Sequence, residues 1–294
     1  MRLTERADRW TGGLADRSGP SLSARPPVHP SAGSAGSLTW HLLIEPDGRP
    51  GAENMAVDQA LLEEADRSGR ACLRLYRFSP PCLSLGRNEP ARGRYDLAAI
   101  TRLGISVVRR PTGGRAVWHE HDVTYAVAAP LAALGGGEGW LRDRYVAIHR
   151  RLAAALRSLG VAATLAPRAR APGRLDAGAC FAAPAGGEVL VHGTKVIGSA
   201  QVRRGRAFLQ HGSILLGGSQ ELITALSRKP QAASRETTLA AALGRPVTFH
   251  EVADAIIAAW AAWDAPFTST ALYRLLPPST ATAQFADPAW TWRR

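Results

Sequence analysis

The sequence predicts an α/β (α+β) fold, a mixed β-sheet with helices packed on it. Two observations carry that prediction. Segments whose apolar residues recur at steps of three or four interleave with short β-like runs, and several of those runs are broken by single glycines as hairpins are. Apolar patterning begins with the strand-like LTWHLLI at Leu38, and Ala52 to Glu64 reads as a helix behind the turn residues Pro50 and Gly51. Two β-like runs follow, ACLRLYRF from Ala71 and CLSLG from Cys82, separated by Ser79-Pro80-Pro81. ISVVRR then leads through a glycine turn to the strand-like DVTYAVA at Asp122. Leu141, Tyr145, Ile148, Leu152, Leu156 and Leu159 place one apolar stripe on a helix. The run EVLVHGTKVIGSAQVRRGRAFLQHGSILL, broken at Gly193, Gly198 and Gly205, reads as hairpins in a sheet. Thr248 followed by Glu251 fits a capping box, with Val252, Ile256, Trp260 and Trp263 as the stripe of its helix.

Residues 1–37 hold 15 Gly, Ser or Pro and almost no large aliphatic residues, so they are expected to form a disordered N-terminal tail. Residues 38–265 are expected to form one folded domain, and 266–294, short and Pro-rich, a C-terminal extension. The 294 residues carry 36 Lys+Arg against 24 Asp+Glu, a formal net charge of +12, with 46% hydrophobic residues. This excludes a wholly disordered chain, a collagen and a disulfide-stapled miniature. Only two of the cationic residues, Lys195 and Lys229, are lysines; the other 34 are arginines, as base-composition bias in the encoding gene would produce. The basic excess favours acidic partners without choosing between nucleic acid and protein.

Cys72, Cys82 and Cys180 are odd in number and lack a CxxC spacing, so neither a disulfide framework nor a zinc ribbon is indicated, and a reducing cytoplasm is the expected compartment. The longest nearly apolar stretch, Ala126 to Leu134, falls short of the 18 or so residues a bilayer span needs, so no membrane partner is expected. The N-terminus has no compact apolar segment, and Glu5, Asp8 and Asp16 argue against a transit peptide.

Three segments could carry chemistry. In Arg109-Arg110-Pro111-Thr112-Gly113-Gly114-Arg115-Ala116-Val117-Trp118-His119, paired glycines after a strand let backbone approach a ligand, although a GG turn alone is most often a plain hairpin turn. It matches neither a Walker loop nor a dinucleotide fingerprint. In Gly193-Thr194-Lys195-Val196-Ile197-Gly198-Ser199-Ala200-Gln201, one of the rare lysines lies on a strand; the plain alternative is a solvated edge residue. Cys180 lies in a loop of small residues fifteen positions before Lys195, and a nearby ammonium stabilises a thiolate. Cys72 and Cys82, within β-like runs, fit a core role. His119, His121 and His211 read as hydrogen-bonding scaffold residues and do not form a zinc triad.

Together RRPTGGRAVWHEHDVTYAV, GTKVIGSAQ and LQHGSIL, preceded by ENMAVDQALL at Glu53, resemble the biotin/lipoate protein ligase and octanoyltransferase superfamily, over about Leu38 to Trp263. Lipoate-protein ligases of that superfamily use ATP and typically carry a third glycine where this chain has Arg115. The cysteine-dependent octanoyltransferases similar to them have a GGR turn, an Ala-Cys-Phe loop and a lysine fifteen residues on, here Arg115, Ala179-Cys180-Phe181 and Lys195. The resemblance implies the superfamily's catalytic-domain fold, Cys180 as nucleophile and Lys195 as the residue that lowers its pKa. It implies substrate binding by Arg110, Thr112, Gly113, Gly114, Arg115, Ala116, Val117 and His119, and by Gly198, Ser199, Ala200, Gln201, His211 and Gly212. It further implies octanoyl-acyl carrier protein as donor and an apo lipoyl domain, such as glycine cleavage H protein or a 2-oxoacid dehydrogenase E2, as acceptor, with no cofactor and no metal. An ATP-dependent ligase, a transferase between lipoyl proteins and a non-catalytic nucleic-acid-binding relative stand as alternatives. Against the last, the basic residues are dispersed and lack RNA-module aromatics.

Overall fold

A computed structural model describes residues 38–134, 141–167, 186–229, 236–263, 267 and 279–294. The expected tail, residues 1–37, lies outside them, as does Cys180. The chain opens with β1 (Trp40–Arg49), α1 (Gly51–Ser68), β2 (Ala71–Phe78), β3 (Cys82–Leu85), α2 (Ala91–Arg94), α3 (Leu97–Arg102), β4 (Ser106–Arg109), β5 (Val117–His119) and β6 (Asp122–Pro130). It continues through α4 (Leu141–Ser158), β7 (Ala163–Leu165), β8 (Val189–Val191), β9 (Thr194–Lys195), β10 (Ile197–Arg204) and β11 (Ala207–Leu215). After these come α5 (Glu221–Ala225), α6 (Leu239–Leu243), α7 (Phe249–Ala261), α8 (Ser279–Ala286) and α9 (Pro288–Thr291).

Five strands form the main sheet in the order β1-β2-β6-β11-β10, with β1 and β2 parallel and the other neighbours antiparallel. Its centre is dry on both sides, and β6 shows why. Val123, Tyr125, Val127 and Ala129 alternate into the core shared with α4 and α7, while Ala126 and Ala128 face the core under α1. A second sheet, β4-β3-β5, and a third, β7-β8-β9, flank the first.

On α4, the expected stripe is buried at Ile148, Leu152 and Leu156, but Arg144, His149 and Arg151 are buried with it. The Thr248–Glu251 capping box closes the first turn of α7, as its spacing predicts. Trp263 departs from expectation: the helix ends at Ala261, and the ring is 45% exposed. Trp260 is fully buried, edge-on to Trp40 at 5.2 Å, with an indole N–H that meets no acceptor. Trp260→Ala is therefore expected to cost about 3–5 kcal/mol in urea unfolding. Trp260→Phe, which also deletes the orphan donor, should cost well under half of that. Equal losses in both variants would contradict the idea that the ring, and not its N–H, is what the core uses.

Residues 279–294, set apart by sequence as part of an extension, pack α8 against α1 and α9 against β4, with Phe285 buried in the core under α1. No helix among the described residues is long and apolar enough to cross a membrane.

Candidate active site

The inner end of the GG turn meets β6, β10 and β11 at a small, partly open pocket. Its lining joins residues from distant parts of the chain: Met55 on α1, Tyr76 and Phe78 on β2, Ser84 on β3, Arg110, Val117 and His119 around the turn, and Thr124 on β6. Gly198, Ser199 and Ala200 on β10, with His211, Gly212 and Ser213 on β11, complete it.

Arg110 shapes the turn. Its guanidinium donates to the carbonyls of Ser84 at 3.0 Å, Gly113 at 2.8 Å and Arg115 at 2.7 Å, so the loop wraps round one buried cation. Two glycines let backbones meet there. A Cβ on Gly86 would lie 1.9 Å from the carbonyl oxygen of Gly114, and one on Gly212 would lie 2.5 Å from both the Gly198 carbonyl and Ser199 Oγ. Gly212 is small because Tyr125 reaches across it to Ser199, hydroxyl to hydroxyl at 2.7 Å.

Two buried carboxylate–histidine pairs brace the walls. Asp58 accepts from Arg74 Nη1 at 2.8 Å, Tyr76 Oη at 2.9 Å and His211 Nδ1 at 2.7 Å. Burial, the largest influence, pushes the Asp58 carboxyl up, but the His211 hydrogen bond and the Arg74 charge outweigh it and hold it below the usual carboxylate range. Burial also lowers the proton affinity of His211 by more than Asp58 raises it, so the ring is neutral. A carboxylate only accepts, so Nδ1–H donates to Asp58 and Nε2 accepts from Thr112 Oγ1 at 2.6 Å, fixing the turn to β11. Asp122 receives His119 Nδ1 at 2.8 Å, Thr124 Oγ1 at 2.9 Å and Ser213 Oγ at 2.6 Å. Burial pushes its carboxyl up too, and His119 with the Ser213 and Thr124 hydrogen bonds brings it below the usual range. His119 meets Ser84 Oγ at 2.9 Å through Nε2 and stacks on Phe78 at 4.0 Å. These polar groups bond chiefly to one another, which leaves Met55, Phe78, Val117 and Ala200 as apolar contact surface suited to an acyl chain.

Lys195 is not a solvated edge residue. It is 3% exposed, and Nζ donates to Glu188 Oε1 at 2.6 Å, with Glu188 itself 4% exposed. Beside this pair, His149 Nδ1 donates to the Gly187 carbonyl at 2.7 Å, and Nε2 accepts from Ser199 Oγ at 2.9 Å. Burial, reinforced by the charge of Lys195, pulls His149 down to about 4 against the Gly187 bond.

Of the other expected residues, Gly113 and Arg115 supply carbonyls to Arg110, and Gly114 packs on Gly86. Ala116 is buried in the core around β3. Gln201 lies on β10 opposite Gln210, and His121 is on the surface. Sequence reading missed Ser84, Thr124, Tyr125, Asp58 and His149. His149 alone left a signal, a polar residue one position from the stripe residue Ile148. Among the described residues, no group of three or more His, Cys, Asp or Glu could hold a metal ion.

A mixed sheet whose GG turn walls a largely apolar pocket is what a protein of the lipoate ligase kind presents, and comparison agrees. The model of the lipoyl protein ligase A/B catalytic domain matches residues 50–261, and the chain belongs to that family. It is 41% identical over 240 residues to octanoyltransferase LipM of Symbiobacterium thermophilum, covering 76% of this chain and 85% of that protein. It is 36% identical over 266 residues to octanoyltransferase LipM of Kyrpidia tusciae, covering 85% and 93%. Within the family the chain is an acyltransferase. Among solved structures, lipoate-protein ligase A bound with ATP aligns with a TM-score of 0.70 at 20% identity, covering 87% of this chain and 98% of that one. A putative lipoate protein ligase from T. acidophilum with bound lipoic acid aligns with a TM-score of 0.67 at 20% identity, covering 88% and 100%. These two show the shared fold.

Proposed function

We propose that the protein transfers an octanoyl group from octanoyl-acyl carrier protein, through a thioester on Cys180, to the lysine of an apo lipoyl domain. The observation that carries this reading is the buried Lys195–Glu188 pair at 2.6 Å, an ammonium positioned fifteen residues from Cys180 in the sequence. The described ends of the segment holding Cys180 support it: Ala166 and Gly187 are hydrogen-bonded at 2.9 Å, and Ala166 N–H donates to Glu188 O at 2.8 Å. That segment is thus tied at both ends beside the partner of Lys195. The other cysteines are unsuited to attack, since burial pushes the thiols of both Cys72 and Cys82 up to about 12. Two relatives named octanoyltransferase, and Arg115 in place of a third turn glycine, favour transfer over ATP-dependent ligation.

In the first step the Cys180 thiolate adds to the donor thioester carbonyl, the carbon–sulfur bond to the carrier breaks, and the carrier leaves as its thiolate, which takes a proton from water. In the second, a neutral lysine amine adds to the enzyme thioester, the amide forms, and the Cys180 thiolate returns as the amine loses a proton. The exchange of one thioester for another needs no nucleotide. Lys195 offers its ammonium to the thiolate and to the acyl oxygen. β10 is an edge strand, so alternate N–H groups near Gly198 to Ala200 point away from β11 and are candidate donors to the tetrahedral oxyanion. A thiol nucleophile is suited to the reducing cytoplasm, where we place the reaction.

Intact-mass analysis after mixing with octanoyl-acyl carrier protein should show a gain of one octanoyl group. Cys180→Ala should show none, and Lys195→Ala should acquire it about 10²-fold more slowly. Acylation that persists in Cys180→Ala, or strict dependence on ATP, would overturn the reading.

A further inference from the structure

Beside the GG turn the chain gathers exposed arginines. Gly86 packs on Gly114, and the next residue, Arg87, donates its N–H to the Thr112 carbonyl at 2.8 Å. The last residues run along the same loop. The Arg294 carbonyl accepts from Ala91 N at 2.9 Å and Arg92 N at 3.1 Å, and Arg293 Nη2 donates to the Arg87 carbonyl at 2.8 Å. Arg87 and Arg294 therefore serve the fold through their backbones, while Arg87, Arg92, Arg293 and Arg294 are all exposed.

The side chains there meet no side-chain carboxylate among the described residues. Arg49, Arg67, Arg70, Arg74, Arg204 and Arg245 each pair with a side-chain carboxylate, whereas none of those four does so among the described residues. The acid in their midst, Glu89, is buried and taken up by Tyr95 Oη at 2.7 Å and Gly86 N at 3.0 Å, with Arg94 at 3.9 Å. Beneath them Arg109 is fully buried, and its Nη2 meets no acceptor. Burial and then the charge of Arg293, with Arg110 and Arg294 adding to it, bring Arg109 down to about 10. Arg293 is lowered as well, by burial and then by Arg87 and Arg294. Arg293 lies over the Trp290 ring at 3.8 Å and Arg92 Nε donates to the Trp292 carbonyl, so these two side chains also serve the fold, yet all four leave positive charge at the surface, a field that favours an acidic partner.

We infer that Arg87, Arg293 and Arg294 form the docking surface for an acidic protein, the carrier that presents the octanoyl thioester. The inference rests on the function proposed above. The acyl chain enters the pocket walled by the GG turn, and Arg87 follows that turn's contact with Gly86, so the protein delivering the chain comes to rest against these arginines. Opposite charge raises the encounter rate and fixes orientation.

The test uses the full-length protein and three substrates. In the triple variant Arg87→Glu, Arg293→Glu, Arg294→Glu, the KM for octanoyl-acyl carrier protein should rise at least about tenfold. The rate with octanoyl-N-acetylcysteamine, a small neutral thioester, and the KM for the lipoyl domain should stay within about twofold. Arg→Lys at the same three positions should restore the wild-type KM, which separates charge from packing. A KM for the carrier that does not move, an equal loss with the small donor, or a rise confined to the lipoyl domain would each overturn the inference. So would binding of nucleic acid by the same arginines with the carrier unaffected. A wild-type protein that cannot use the carrier at all would instead sink the proposed function itself.

Discussion

Gly86→Ala is expected to abolish acyl transfer and to lower stability by about 3 kcal/mol or more in urea unfolding, because the new methyl has nowhere to go. Its position falls 1.9 Å from the Gly114 carbonyl oxygen and 2.8 Å from the Gly114 carbonyl carbon. Both obstacles are backbone, so no rotamer change relieves the clash. Gly114 cannot retreat, since it sits at φ +88°, with Arg110 Nη2 only 2.8 Å from where its own Cβ would be. Arg110 in turn holds Ser84, Gly113 and Arg115, so a displaced Gly114 carries the pocket wall with it. Gly113 is the control. It has ordinary φ and nothing within 4 Å of a Cβ, so Gly113→Ala should unfold within about 1 kcal/mol of wild type. Wild-type urea midpoints in both variants would show that the contact between the two loops is dispensable.

That contrast also marks how far the sequence could be read. The GG pair was legible as a turn, but its two members have different jobs, and the third glycine of the device, Gly86, looked like the end of an ordinary β-run. The contact that gives Gly86 its role joins residues 28 apart in the chain, which no local pattern records. Arg74 is a similar case. Strand alternation puts it with Cys72 and Tyr76 on one face of β2, where a charge ordinarily argues for solvent. It is instead fully buried against Asp58 and Glu45. The hairpins at Gly193 and Gly205 and the helices α4 and α7 were legible because short-range periodicity and capping determine them. The strand β5 was not, being three residues long and defined only by its pairing with β3. Lys195 could be singled out by rarity alone, but its burial against Glu188 follows from β8 and β9 closing a tight turn.

His149 should give the stability curve a distinct acid limb. A histidine in an unfolded chain titrates near 6.5, and in the folded protein burial brings His149 to about 4. Between those values the unfolded chain binds a proton that the folded protein does not, so stability is full above pH 6.5 and falls as the pH drops toward 4. The loss over that window is about 3 kcal/mol for this one group. Lys195 presses in the same direction, while the Gly187 carbonyl opposes it; Tyr125 and Tyr145 also adjoin the ring and stay uncharged throughout the window. His211 and His41 are lowered too, so the wild-type limb is their sum with His149. Asp58 and Asp122, held below the usual range, lose their contributions only at lower pH, below about 4. The informative quantity is therefore a difference. His149→Gln is expected to start lower at pH 7.5, having lost a buried hydrogen-bond bridge between Gly187 and Ser199, and then to fall about 3 kcal/mol less than wild type by pH 4. Unfolding free energies measured by urea at half-unit pH steps would show the two curves converging. Parallel curves would mean that His149 carries its proton in the folded protein, and the direction assigned to its hydrogen bond with Ser199 would have to be reversed.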